Sequence, residues 1–230
     1  MCNRTLNDIA IHTINDLGHQ VIRQKVLEVE NYTYISSNKM SDTNGSSVHN
    51  KIRDVPTLWL RKILTFINIH DFDKDGFIGH EDLMQLGDKM KQLAVTEKSK
   101  DELRELLSNR YKVLKKRSEH GGTTTMTEQI LQFWEQKDDP VAIEQWRKTA
   151  SAVFKILDSK NNGSIPFDDF VGYWKVLGLD TTYAQLQFDY IDTNQDGFID
   201  EEEVVNARVE YFTNTDEHNC NRFYGPLVNY

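Results

Sequence analysis

From residue 55 onward the apolar positions recur at helical spacing, and short polar stretches containing glycine interrupt them. Leu58, Trp59, Ile63, Phe66 and Ile67 form one stripe, and Pro56 suits the first turn of the helix that carries it. Leu83, Met84, Leu86 and Met90 mark a second helix beginning near Glu81. A charged helix follows over about 96–117, with Leu103, Leu106, Leu107, Tyr111 and Leu114 on one side. Ile130, Leu131, Phe133 and Trp134 mark a fourth helix. Asp139-Pro140 reads as an N-cap and first turn for a fifth, with Ile143, Trp146, Ala150, Val153, Phe154 and Leu157 on its apolar face. Phe170, Val171, Tyr173, Trp174 and Leu177 belong to a sixth, which Gly178 is placed to stop. Leu186, Phe188 and Ile191, then Val204, Val205, Val209 and Phe212, complete about eight helices in four helix–loop–helix units. The fold class expected is all-α, two pairs of such units packed into one globule, with short β contacts between paired loops.

The polar interruptions carry the chemistry. Asp192-Thr193-Asn194-Gln195-Asp196-Gly197-Phe198-Ile199-Asp200-Glu201-Glu202-Glu203 places oxygen side chains at positions 1, 3 and 5 (Asp192, Asn194, Asp196). Gly197 allows the sharp turn at position 6, and Phe198 offers its carbonyl at position 7. Asp200 can hold a water, and Glu203 can give both carboxylate oxygens at position 12. This is the twelve-residue EF-hand calcium loop. Ca²⁺ takes about six to eight oxygens at roughly 2.3–2.6 Å, and one short segment supplies them.

Residues 71–82 repeat the pattern, with Asp71, Asp73 and Asp75 at positions 1, 3 and 5, Gly76 at the turn and the Phe77 carbonyl at position 7. Position 12 is Asp82, one methylene shorter than Glu, which lowers bidentate reach and biases the site toward six-coordinate Mg²⁺. Two further hands are degraded. Residues 158–169 keep Asp158, Asn162, Gly163, Ser164, Ile165 and Asp169, but Lys160 stands at position 3 and Pro166 at position 9. An ammonium facing a divalent cation repels it unless the side chain turns to solvent, and proline removes a backbone donor. The stretch Glu119–Glu128 reads as a hand without ligands, kept for packing, with Met126 in the place of Ile165 and Ile199. Asp158 and Asp192 lie 34 positions apart, which suits a pair in which Ile165 meets Ile199.

The chain has 230 residues, 38% of them hydrophobic, and a net charge of −9. That length supports a sizeable core. The acidity argues against nucleic acid as a partner, and part of it is the metal ligands themselves. Cys2 and Cys220 give no disulfide framework and fit a reducing, cytoplasmic compartment. No apolar run approaches a membrane span, no signal-peptide core opens the chain, and Cys2 stands where myristoylation needs glycine. The divisions expected are an extension over 1–50, a first pair over 51–137, a second over 138–213 and a tail over 214–230 packing on the globule. Within the extension, Leu6, Ile9, Ile14, Leu17, Val21, Ile22, Val26 and Val29 sketch an amphipathic helix, and 36–50 reads as a flexible linker.

Intact first and last hands, a ligand-free second hand, Asp82 at the twelfth position of the first loop and the tail Asn221-Arg222-Phe223-Tyr224-Gly225-Pro226-Leu227 together resemble the sarcoplasmic calcium-binding proteins. Calexcitins and coelenterazine-binding proteins are similar to that group. The resemblance covers about 55–230 and implies two EF-hand pairs in one globule. It points to a non-enzymatic, monomeric Ca²⁺- and Mg²⁺-binding protein acting as buffer or signal modulator. Lys160 departs from the family's metal-competent third loop. The relatives also suggest two alternatives: a calcium-controlled carrier of an apolar small molecule such as coelenterazine, and a photoprotein-like oxygenase. The oxygenase needs His, Tyr and Trp to converge, and His218 and Tyr224 lie near the chain end without a local motif to align them. None of the five methionines lies in the last two hands, which favours a closed globule over a Met-rich groove.

Overall fold

The computed structural model describes residues 52–76, 78–119 and 126–229. The helix and linker expected over 1–50, the carbonyl of Phe77 and most of the second loop lie outside the described residues. The described chain runs α1 (Thr57–His70), α2 (His80–Met90), α3 (Glu97–Glu119), α4 (Met126–Gln136), α5 (Pro140–Leu157), β1 (Ile165–Pro166), α6 (Phe167–Val176), a 3₁₀ turn (Thr181–Tyr183), α7 (Ala184–Ile191), β2 (Phe198–Ile199) and α8 (Glu201–Thr213). Eight helices and one two-residue ladder are therefore present among the described residues, as the apolar spacing predicts.

Local signals account for many of the boundaries. Asp139 accepts from the Val141 N–H at 2.9 Å, with Pro140 in the first turn, so α5 starts where the capping pattern places it. Gly178 has φ 74°, and the N–H groups of Gly178 and Leu179 return to Lys175 and Trp174, closing α6. α1 has no cap of its own, because Pro56 precedes it. The carboxylate of Glu217, 159 positions away, accepts from the Leu58 N–H at 3.1 Å and brings negative charge to the helix start.

Packing joins the two pairs. A single hydrophobic cluster runs from Trp59, Ile63 and Phe66 on α1 through Phe154 on α5 and Trp174 on α6 to Tyr211 and Phe212 on α8. Phe212 is its aromatic hub, with ring centroids 5.1 Å from Phe66, 5.6 Å from Phe133 and 5.0 Å from Trp146. The tail after α8 is part of this core, since Phe223 and Tyr224 are buried. It also ties down α1: the Arg61 Nε donates to the Val228 carbonyl at 3.0 Å, and the Val228 N–H donates to Thr65 Oγ1 at 3.0 Å. Lys62, fully buried on α1, donates to Asn219 Oδ1 at 2.5 Å, and burial lowers its ammonium to about 8.

Ile165 pairs with Ile199 in the antiparallel ladder, as expected, and both are buried. Met126 stands in α4 and not in a ladder with loop one, and residues 120–125 before it lie outside the described residues. The Ile78 N–H donates instead to the side chain of Gln129 on α4, at 3.4 Å. Cys220 is disulfide-bonded, which departs from the reading of two reduced cysteines, and its partner lies outside the described residues.

Asn221 is fully buried and links the tail to α8. Its Nδ2 donates to the Ala207 carbonyl at 2.7 Å and to Glu210 at 2.9 Å, and its Oδ1 accepts from Phe223 at 3.0 Å. Asn221→Ala leaves those groups unsatisfied and should lower stability by about 1–3 kcal/mol in a urea melt.

Candidate metal centres

Three loops share one backbone frame. The fourth residue is in the left-handed region in each, at Lys74 (φ 61°), Asn161 (φ 50°) and Gln195 (φ 59°), and so is the sixth, at Gly76, Gly163 and Gly197. Glycine fits the sixth position because a Cβ there would strain the turn. The first-position carboxylate accepts from the sixth N–H in all three: Asp71 from Gly76 at 3.0 Å, Asp158 from Gly163 at 2.9 Å and Asp192 from Gly197 at 3.0 Å. The oxygen ligands at positions 3 and 5 are therefore aimed inward by the turn itself.

The twelfth residue closes the loop only in the first and fourth hands. Asp82 Oδ1 accepts from the N–H groups of Phe72 and Asp73 at 2.5 and 3.3 Å, and Oδ2 accepts from Gly79 at 2.6 Å. Glu203 repeats this arrangement. Its Oε1 accepts from Thr193 and Asn194 at 2.8 and 3.3 Å, and its Oε2 from Asp200 at 3.0 Å. The ninth residue donates its N–H in both cases. In the third loop the ninth residue is Pro166, which has no N–H, and among the described residues Asp169 makes no bond back across the loop. Lys160 is exposed. This loop therefore lacks the closure that the twelfth residue gives the other two.

In the first loop Asp71, Asp73, Asp75 and Asp82 each bring one carboxylate oxygen within 4.8 Å of the others. Oxygens on opposite sides of a cation at about 2.4 Å are about 4.8 Å apart, so the four acids fit the coordination sphere of Ca²⁺ or the smaller Mg²⁺. Asp71 and Asp82 are buried. Four carboxylates held this close repel one another, and a bound divalent cation removes that cost. In the fourth loop Asp192 and Asn194 share the Asp196 N–H at 3.1 and 2.9 Å, Asp196 accepts from Phe198 at 2.9 Å, and Glu203 folds back over residues 193–194. Asn194 replaces one of the acids, and among the described residues only the first loop closes into so tight a carboxylate group.

The structure does not unite the pair considered for oxygen chemistry. His218 is exposed, whereas Tyr224 is buried with its ring 5.4 Å from His70. The sequence carries no signal for His70, which ends α1 and donates its Nδ1–H to the Phe66 carbonyl at 2.9 Å; burial, then Arg110, lowers its pKa to about 3. Nor does the sequence signal a cavity of about 720 Å³ between α1, α3, α4, α5 and α8, which touches loop one through Ile78 and Asp82. No local motif marks either feature, because their residues come from distant helices.

Comparison with known proteins agrees with this geometry. The EF hand family matches residues 184–206, and the EF-hand domain pair family matches 147–177. The sarcoplasmic calcium-binding protein of Hediste diversicolor is 30% identical over 172 residues, spanning 74% of this chain and 99% of that protein. The chain belongs to the sarcoplasmic calcium-binding protein family. It is an EF-hand calcium-binding protein. Mitrocomin of Mitrocoma cellularia is 27% identical over 96 residues, so the match spans 41% of this chain and less than half, 46%, of that relative. The calcium-loaded apo form of the coelenterazine-binding protein of Renilla muelleri superposes with a TM-score of 0.55 at 18% identity, over 74% of this chain and 96% of that one. At that identity the likeness establishes the shared fold alone.

Three variants separate the loops. Glu203→Gln should weaken one Ca²⁺ equivalent at least tenfold, about 1.4 kcal/mol, in calorimetric titration. Lys160→Asp alone should add no tight site, whereas Lys160→Asp with Pro166→Ser and Asp169→Glu should add one, since only the triple variant restores the ninth N–H and a long twelfth arm.

Proposed function

We propose that the protein is a non-enzymatic Ca²⁺ buffer or signal modulator that also binds Mg²⁺, with metal held by Asp71, Asp73, Asp75, Phe77 and Asp82 in the first loop and by Asp192, Asn194, Asp196, Phe198 and Glu203 in the fourth. The observation that carries this reading is the closed loop frame, in which the twelfth carboxylate is held by backbone donors while the other acids converge. The short Asp82 supports Mg²⁺ at the first loop. Buffering suits this construction because the loops are built into one continuous core, and no Met-rich face is set aside for a target. The protein acts as a monomer in this reading.

The intracellular placement draws on the sarcoplasmic relative, and the bonded Cys220 weighs against it. A thiol count on denatured protein purified without reductant from a reducing cytosol decides between them: two reactive thiols support the placement, and none overturns it. Calorimetric titration with Ca²⁺, with and without Mg²⁺, tests the site count. Two strong equivalents are expected, and a third strong one would mean that loop three binds without its closure.

A second reading is a calcium-controlled carrier of an apolar small molecule such as coelenterazine. It is favoured by the cavity, whose volume falls within the range of small-molecule sites and whose wall includes Asp82 of loop one. Asp82→Glu is informative for the buffering reading: the longer arm should raise the Ca²⁺/Mg²⁺ selectivity of the first site, measured by competition calorimetry.

A further inference from the structure

The inner end of the cavity is cationic. Arg110 of α3 and Arg208 of α8 both line it, and both also line the small void behind it beside Tyr173 and Tyr224. Arg208 is buried. Its Nε donates to the Tyr224 hydroxyl at 2.8 Å and its Nη1 to the Trp146 carbonyl at 3.1 Å. A guanidinium carries five N–H donors, so these two bonds leave part of the fork unused. Arg110 makes no hydrogen bond and no ion pair among the described residues. Its charged end is nevertheless desolvated, and the groups acting on it are Arg208, Tyr224 and Tyr173, none of them a carboxylate.

Two guanidinium groups that face each other away from water raise each other's energy, and a protein normally offsets such a pair with acids. None of the acids that line this cavity pairs with Arg110 or Arg208 among the described residues. Asp82 belongs to loop one, Asp139 caps α5, Glu105 is exposed and Glu102 is half-buried. The adjoining wall, where the Arg208 guanidinium lies 5.7 Å from the Phe212 ring centroid, is of a different kind. Phe66, Phe133, Trp146 and Phe212 form one packed aromatic surface, with Phe133 and Phe212 stacked at 5.6 Å and Phe133 and Trp146 at 6.2 Å. Gln129 adds a buried donor, because its Nε2 has no partner while its Oε1 accepts from Ile78.

We infer that the cavity takes an organic monoanion, an apolar and mainly aromatic body lying on the Phe66–Phe133–Trp146–Phe212 wall, with one carboxylate-class group held between Arg110 and Arg208. This rests on the carrier reading of the cavity and narrows its ligand class from apolar molecules in general to those bearing a single negative charge. The planar guanidinium forks suit such a group, since they can meet its two oxygens with paired donors. One such group is enough for the donors: Tyr224 and Trp146 already occupy two of those on Arg208, and a single anion between the two forks halves the net charge of the pair.

The test uses the full chain at fixed Ca²⁺ and two fluorescent probes that share a body and differ in charge, 1-pyrenebutyrate and 1-pyrenebutanol. The acid should bind one to one and at least tenfold more tightly than the alcohol. Arg110→Met should weaken the acid at least tenfold and leave the alcohol within twofold. Arg110 bonds no protein group among the described residues, so the same substitution should leave the melting temperature of the probe-free protein unchanged or raise it. Arg110 is the residue to vary, because Arg208→Met would also strand the Tyr224 and Trp146 partners. Equal binding of acid and alcohol by the wild type, or equal loss of both in Arg110→Met, overturns the anion assignment and leaves the carrier reading standing. Failure of both probes to bind overturns the two together.

Discussion

The hydrogen bonds that hold the twelfth carboxylate of a loop are the constraint on which the rest depends. In the first and fourth hands that carboxylate accepts from the second and third N–H groups and from the ninth, so one side chain fixes both ends of the loop and the start of the following helix. Helix and metal site are therefore one device. At the start of α8 Asp200 and Glu203 reciprocate, at the start of α2 Asp82 accepts from Gly79 alone, and both first turns carry the negative charge that suits a helix N-terminus. The third hand has the same turn and the same first-position bond, yet Pro166 cannot complete the ring. It retains its place through β pairing, as Ile165 against Ile199, and serves the fourth loop as a scaffold.

Around these loops the chain is drawn into one core by its tail. Helix α1 leads into loop one and α8 leaves loop four, and the residues after α8 cap the first, bond its side chains and insert Phe223 and Tyr224 between them. Trp59 adds a direct link, donating its Nε1–H to the Phe212 carbonyl at 2.7 Å. A shift of α8 on metal binding would thus be felt at α1 through packed rings and short hydrogen bonds. The cavity sits within the same framework, sharing Phe66, Phe212 and Arg208 with the helices that carry the sites.

Much of this was legible in the chain. The helical spacing gave the elements, and Pro140 and Gly178 marked ends that the structure places there, because capping and left-handed turns are local and act within a few residues. The ligand pattern of the first loop was legible for the same reason: twelve consecutive residues contain the whole frame. Met126 was assigned a ladder position and stands in α4, since that stretch lacks the acids that index the other loops. In the third loop the chemistry named Lys160 and Pro166, and the structure adds that Asp169 makes no closing bond among the described residues, which depends on how the loop folds back on itself.

By itself, then, the sequence determined the calcium loops, their pairing through Ile165 and Ile199, and the helices on either side, all of which depend on contacts between near neighbours or on one repeated spacing. Tertiary structure alone decided that Glu217 caps a helix 159 positions earlier, that Gln129 rather than Met126 receives the Ile78 N–H, and that Arg110 and Arg208 meet at the end of an aromatic cavity. These are meetings of side chains from distant helices, set by how the pairs pack, and no periodicity along the chain encodes them.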